Sequence, residues 1–122
     1  MASLNKTTII GNLGNDPELR FTPSGKPVCT FPVATNHVFT TPEGERKQET
    51  EWFNVVTWNK LAEQCNQFLN KGKLVYAEGR LHTSHWEKDG QQNTKVEIIA
   101  QRVIFLDRRD AHTEEEPTEE PL

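Results

Sequence analysis

The sequence predicts an all-β domain: a five-stranded Greek-key barrel with one short helix between the third and fourth strands, followed by a disordered acidic tail. Three observations carry that prediction. Runs rich in β-branched and aromatic residues, with a two-residue alternation, recur from residue 6 to residue 106. Only one stretch, "NKLAEQCNQFLNKGK", changes to a helical period. The order of three strands, one helix and two strands lacks the repeated helix crossovers of a parallel sheet, and it suits a barrel of the OB type.

Each element has its own signals. "KTTIIGNLG" is a first strand ending at glycines, and "NDPELRFTPSGKP" reads as a loop punctuated by Pro17, Pro23, Gly25 and Pro27. "VCTFPVATN" is a second strand, and Pro32 within it requires an edge or a bulge there. "TTPEGERKQE" is the polar connection of a long hairpin, and "EWFNVVTW" is the third strand. In the helical stretch, Leu61, Cys65, Phe68 and Leu69 fall on one stripe, with Asn59 as the expected N-cap, Glu63 in the first turn and Gly72 as the stop. "LVYAEGRLHTSHWE" resumes the strand pattern, Asp89-Gly90 makes the next turn, and "TKVEIIAQRVIFL" is the last strand.

With 122 residues and 34% hydrophobic content, the chain suits one small domain with a modest core. The expected division is a barrel over residues 1–107 and a short flexible tail over 108–122. No apolar run has the length of a membrane span, and the opening "MASLNKTTIIGN" lacks the regions of a signal peptide, so a cytoplasmic address without membrane contact is expected. Cys29 and Cys65 stand far apart and outside any CxxC pairing, which makes them small core residues rather than a disulfide or zinc framework. The net charge of −4 is uneven: residues 1 to 109 hold all 14 Lys and Arg against 12 acids, whereas residues 110 to 122 hold six acids and no base. The body is slightly basic, and the acidity belongs to the tail.

The third strand poses the functional question. Alternation puts Trp52, Asn54, Val56 and Trp58 on one face and Phe53, Val55 and Thr57 on the other. Two indoles beside an amide either fill a second core or serve an exposed surface. Trp86 ends the fourth strand on the face of Tyr76, Arg80 and His82, and Phe39 stands at the exit of the second strand. Lys60, Lys71, Lys73, Arg80 and Lys88 flank these rings. Aromatic side chains interleaved with bases suit an unpaired nucleic-acid strand, because each stacked base contributes about 1 to 3 kcal/mol with little dependence on its identity.

The stretches "GNLGNDPELRFTPSGKPVCTFPVAT", "ETEWFNVVTWNKLAEQCNQFLNKGKLVYAEGRL" and "HTSHWE" resemble the bacterial single-stranded DNA-binding protein family, over about residues 4 to 106. The resemblance implies an OB fold, a homotetramer, sequence-independent binding of single-stranded DNA, and roles in replication, recombination and repair in a nucleoid-associated setting. It implies no catalysis and no cofactor. The family's stacking aromatics fall on Trp52, Trp58 and Trp86, and on Phe39 where relatives often carry tryptophan. Its basic positions match Lys6, Arg20, Lys60 and Lys71, and Arg80 joins them as a DNA-facing cation. The first strand, "KTTIIGN", is part of a subunit contact in the family.

The C-terminus departs from the family pattern. Relatives carry a long linker and an acidic tip with an Ile-Pro-Phe-like end that docks onto replication and repair proteins, whereas this chain ends "EEPTEEPL" with almost no linker. The alternative to a DNA-coating role is therefore an OB-fold adaptor of the primosomal type, whose aromatic face contacts proteins. A nuclease or anticodon-type domain would need a carboxylate cluster, which is missing. His82 and His85, three apart on a strand, face opposite ways and make a poor metal pair. "GNLGND" opens no helix, so it lacks the context of a phosphate loop.

Overall fold

The computed structural model of the protein describes residues 1–106 and shows six strands and one helix among them. Strand β1 (Thr7–Leu13) buries Ile9, Gly11 and Leu13 and leaves Thr8, Ile10 and Asn12 outside. The same alternation buries Cys29, Phe31 and Val33 on β3 (Pro27–Thr40), and Val55 and Thr57 on β4 (Arg46–Trp58). It also buries Val75 and Ala77 on β5 (Leu74–Lys88), and Ile98 and Ala100 on β6 (Gln91–Phe105). These residues form one core, sealed at one end by Ala62 and Cys65 of helix α1 (Asn59–Phe68) and by Leu69. Burying the larger of these side chains, such as Phe31, Val55 and Ile98, is worth about 1.5 to 3 kcal/mol each, which is what closes the barrel.

The long strands run in the order β1-β5-β6-β4-β3, and β3 returns to β1 through Asn12 opposite Ala34 and Leu13 opposite Val33. The β4 to β6 pairing is parallel, and the other pairings are antiparallel. This is the five-stranded barrel with one short helix that the strand order implies. Two hairpins project beyond it as arms: β3 and β4 stay paired out to Thr40 opposite Arg46, and β5 and β6 out to Lys88 opposite Gln91.

Several local expectations need correction. The stretch read as a loop contains a short edge strand, β2 (Glu18–Phe21), paired with the start of β3. Its turn signals lie on both sides of it, at Pro17 and at Pro23 and Gly25, and Leu19 packs against the core from there. The helix therefore follows the fourth strand in chain order, although it still joins the third and fourth strands of the barrel. Asn59 does not cap it, since Asn59 is the first helical residue with φ of 59°, and Trp58 at the cap position makes no side-chain capping bond. Asn tolerates that left-handed conformation better than most residues. Glu63 falls past the first turn, and Leu69, not Gly72, ends the helix, its N–H donating to the Cys65 carbonyl at 3.0 Å. Gly72, with φ of 94°, serves the next turn.

The hairpin turn, Pro32 and the two cysteines are as expected. Asp89 and Gly90 both have positive φ, 53° and 77°, as a two-residue hairpin turn requires. Pro32 sits where β3 changes neighbour, after the β2 pairing ends at Thr30 and before the β1 pairing begins at Val33. The Pro32 carbonyl accepts from Gly14 N–H at 2.9 Å on that side, so the missing donor leaves the β4 ladder intact. Cys29 and Cys65 are both buried and free. Among the described residues no helix is long and apolar enough to cross a membrane. The expected acidic tail, 108–122, lies outside the described residues.

Candidate nucleic-acid interface

The strand registers assemble the outer face of the barrel in rows. Paired residues on neighbouring strands point the same way. One row runs Arg20, Val28, Trp58 across β2, β3 and β4. The next runs Glu18, Thr30, Val56, Ile99 and Arg80 across β2, β3, β4, β6 and β5. A third runs Pro32, Asn54, Glu97 and His82, and beyond it Ala34 stands opposite Trp52. On the β5 to β6 arm the same face continues through Ser84 and Lys95 to Trp86 and Asn93.

Trp52, Trp58 and Trp86 therefore share one outer surface, although they come from two strands that are not adjacent. They are 60%, 39% and 45% exposed, while Phe53 packs against the core and Val55 and Thr57 fill it. The indoles of β4 therefore form an exposed surface rather than a second core. Six residues of strand separate Trp52 from Trp58, a span of about 20 Å. A face that broad, carrying three flat apolar groups, is unusual on a small soluble domain and marks a binding surface. The ring of Trp52 rests on Gly14, in the segment that links β1 to β2.

The cations divide into two groups. Arg20 and Arg80 lie on the tryptophan face; Arg20 is paired with Glu18 at 2.9 Å, and Arg80 makes no ion pair among the described residues. Lys60 stands two residues after Trp58 at the start of α1, and Lys71 is held by its N–H bond to Asp16 Oδ1 at 2.8 Å. Lys6 precedes β1, and its ammonium pairs at 3.5 Å with Glu78, which alternation sets on the same side of β5 as Arg80 and His82. There the Tyr76 hydroxyl donates to Glu78 at 2.7 Å, which holds the Glu78 carboxyl below the usual range and pushes the Tyr76 hydroxyl up.

Phe39 lies on the other side of its arm. By register it belongs with Val33, Thr35 and His37, on the side of the β3 to β4 arm opposite to Trp52 and Trp58. It is half-buried and stacked with His37, the ring centroids 5.8 Å apart and the planes within 16°. His37 was not among the residues the sequence pointed to. Its place two residues before Phe39, on the same side of an alternating strand, was the available signal.

Two more groups on the aromatic face escaped the sequence reading. Lys95 and Glu97 form an ion pair at 3.2 Å beside Asn54. They line a cleft of about 460 Å³ together with Asp16, Pro17 and Pro32. Nothing in the linear pattern of β6 tells that Glu97 will meet Asn54, because their pairing is parallel and 43 residues distant in sequence. His82 and His85 do face opposite sides of β5, and no group of three or more metal-ligating side chains occurs among the described residues.

A closed OB barrel whose outer face offers spaced, exposed indoles between cations defines a class of proteins that hold unpaired nucleic-acid strands. The profile of the Single-strand binding protein family matches residues 4–106, and the chain belongs to that family. It is 43% identical over 119 residues to a single-stranded DNA-binding protein of Neisseria meningitidis serogroup A, covering 97% of this chain and 68% of that one. It is 46% identical over 105 residues to single-stranded DNA-binding protein 2 of Staphylococcus aureus, covering 85% and 73%. Among solved structures, the Plasmodium falciparum SSB in complex with ssDNA superposes with a TM-score of 0.83 at 34% identity, covering 88% of this chain and 98% of that one.

Proposed function

We propose that this chain binds single-stranded DNA without regard to sequence and shields it during replication, recombination and repair, with no catalysis of its own. The carrying observation is the common outer face of Trp52, Trp58 and Trp86. Each ring offers a base a stacking partner, and Arg20, Arg80, Lys60 and Lys71 supply phosphate contacts whose strength falls with salt. The names of the relatives support the same ligand. The binding domain is residues 1–107, with 108–122 as an acidic appendage able to meet replication and repair proteins in the cytoplasm.

The working form is a homotetramer. Its support is a second row, exposed at Ile10 and Ile104 and half-buried at Tyr76, which crosses β1, β5 and β6 on the side of Lys6 and Glu78. Aliphatic side chains left open on a sheet face beside paired charges suit a self-contact. Light scattering after size exclusion measures the mass, and Ile10→Arg is expected to lower it toward monomer or dimer.

Intrinsic tryptophan fluorescence during titration with long oligo-dT tests the ligand, with duplex of equal length as the comparison at two salt concentrations. Strong quenching by the single strand alone is expected. Absence of quenching at low salt would remove the single-strand reading.

A further inference from the structure

We propose that His37 is a further base-stacking residue, and that bound single strand contacts both sides of the β3 to β4 arm. The inference rests on the single-strand reading above. Along the arm the two sides differ completely: Ala34 and Trp52 mark one, whereas Thr35, His37, Phe39 and their partners Glu51, Glu49 and Lys47 mark the other. Phe39 is half-buried and His37 is exposed, so the ring that this second side presents to solvent is the imidazole. The near-parallel setting of the two rings, centroids 5.8 Å apart, is within the range that stacked aromatic pairs adopt. A base placed on the open face of His37 would continue a stack already two rings deep.

The charges around this pair favour a base over a phosphate at His37. Glu49 stands opposite His37 and repels phosphate, whereas Lys47 stands opposite Phe39, tied only to exposed Glu45 at 3.7 Å. The strand is thus placed with its base over the imidazole and its backbone toward Lys47. Because Trp52 lies on the opposite side of the same two strands, one continuous oligonucleotide that uses both must pass around the edge of the arm.

The test is the affinity for fluorescently labelled oligo-dT, measured by anisotropy for the wild type, Trp52→Ala, His37→Ala, His37→Phe, Phe39→Ala and the His37→Ala/Phe39→Ala double variant. His37→Ala is expected to weaken binding about 5- to 150-fold, the range that one stacked base represents. His37→Phe should bind like the wild type, and His37→Ala should still weaken binding when Phe39 is already alanine. Unchanged affinity of His37→Ala overturns the proposal, as does a His37→Phe variant as weak as His37→Ala. Loss of the effect in the Phe39→Ala background also overturns it, since His37 would then only hold Phe39 in place. If the wild type itself fails to bind, the single-strand reading falls; if the wild type binds and Trp52→Ala weakens it while His37→Ala does not, only the present inference falls.

Discussion

Gly14 and Trp52 are in such close contact that a Cβ on Gly14 would stand 2.6 Å from Cη2 of the indole and closer still to Cζ3. The residue that gives way is a side chain, not backbone, and it is 60% exposed. Gly14→Ala should therefore displace the ring while leaving the core untouched. The expected outcome is weaker oligo-dT binding, within the loss of about 1 to 3 kcal/mol that removal of one stacking partner brings. Anisotropy titration measures that loss, and a shifted tryptophan emission with a nearly unchanged melting temperature identifies its cause.

The three indoles should separate binding from stability to different degrees. Trp52→Ala and Trp86→Ala remove rings 60% and 45% exposed, so each should cost about 1 to 3 kcal/mol of oligonucleotide affinity with little change in urea midpoint. Trp58 is less exposed, at 39%, and sits at the helix cap position, so Trp58→Ala should lower the midpoint measurably as well. A Trp52→Ala protein that fails to fold would place that ring in the core after all.

How far the sequence foretold this arrangement depends on the distance over which each signal acts. Strand alternation is local, and so the division between Trp52 and Val55, the barrel class and the Asp89-Gly90 turn were all legible. Strand β2 was hidden because a four-residue edge strand between prolines carries too little pattern to stand out from a loop. The union of Trp86 with Trp52 and Trp58 was implied only by their residue type, since the common face depends on the parallel pairing of β4 with β6. Phe39 was legible as an aromatic arm residue but not as a member of the opposite side, because continuing its alternation through Val33 required knowing that the strand runs unbroken to Thr40. Lys6 was legible by resemblance alone, and the structure pairs it with Glu78.

Gly79 contrasts with Gly14. A Cβ there would meet the Ile99 carbonyl and stand 2.7 Å from Ala100 Cα, both backbone atoms of β6. β6 has an extra residue at that point, Gln101, between the partners of Glu78 and Gly79, so the two strands are already locally bent. Backbone cannot swing aside as the Trp52 ring can. Gly79→Ala should destabilise the domain by about 1 to 3 kcal/mol, the usual cost of overpacking, as a lower urea midpoint with unchanged slope.

The buried thiols predict a loss of stability in alkali. Burial pushes Cys29 up to about 11 and Cys65 up to about 12 from an ordinary 9.0, with the neighbouring Thr57 hydroxyl acting in the opposite direction. A thiolate at Cys29 also opposes ionisation of Cys65, because the two charges would share one apolar site. An acid whose value is raised by folding ionises first in the unfolded chain, so the unfolded state releases protons that the folded state keeps. The contribution is fully present below about pH 9 and is lost as pH rises through about 11 to 12. Urea midpoints taken from pH 8 upward should fall across that window in the wild type and fall less in Cys65→Ala, compared with the variant's own lower starting value. At neutral pH a thiol reagent should leave both cysteines unmodified in the folded protein and titrate two per chain once it is unfolded in urea.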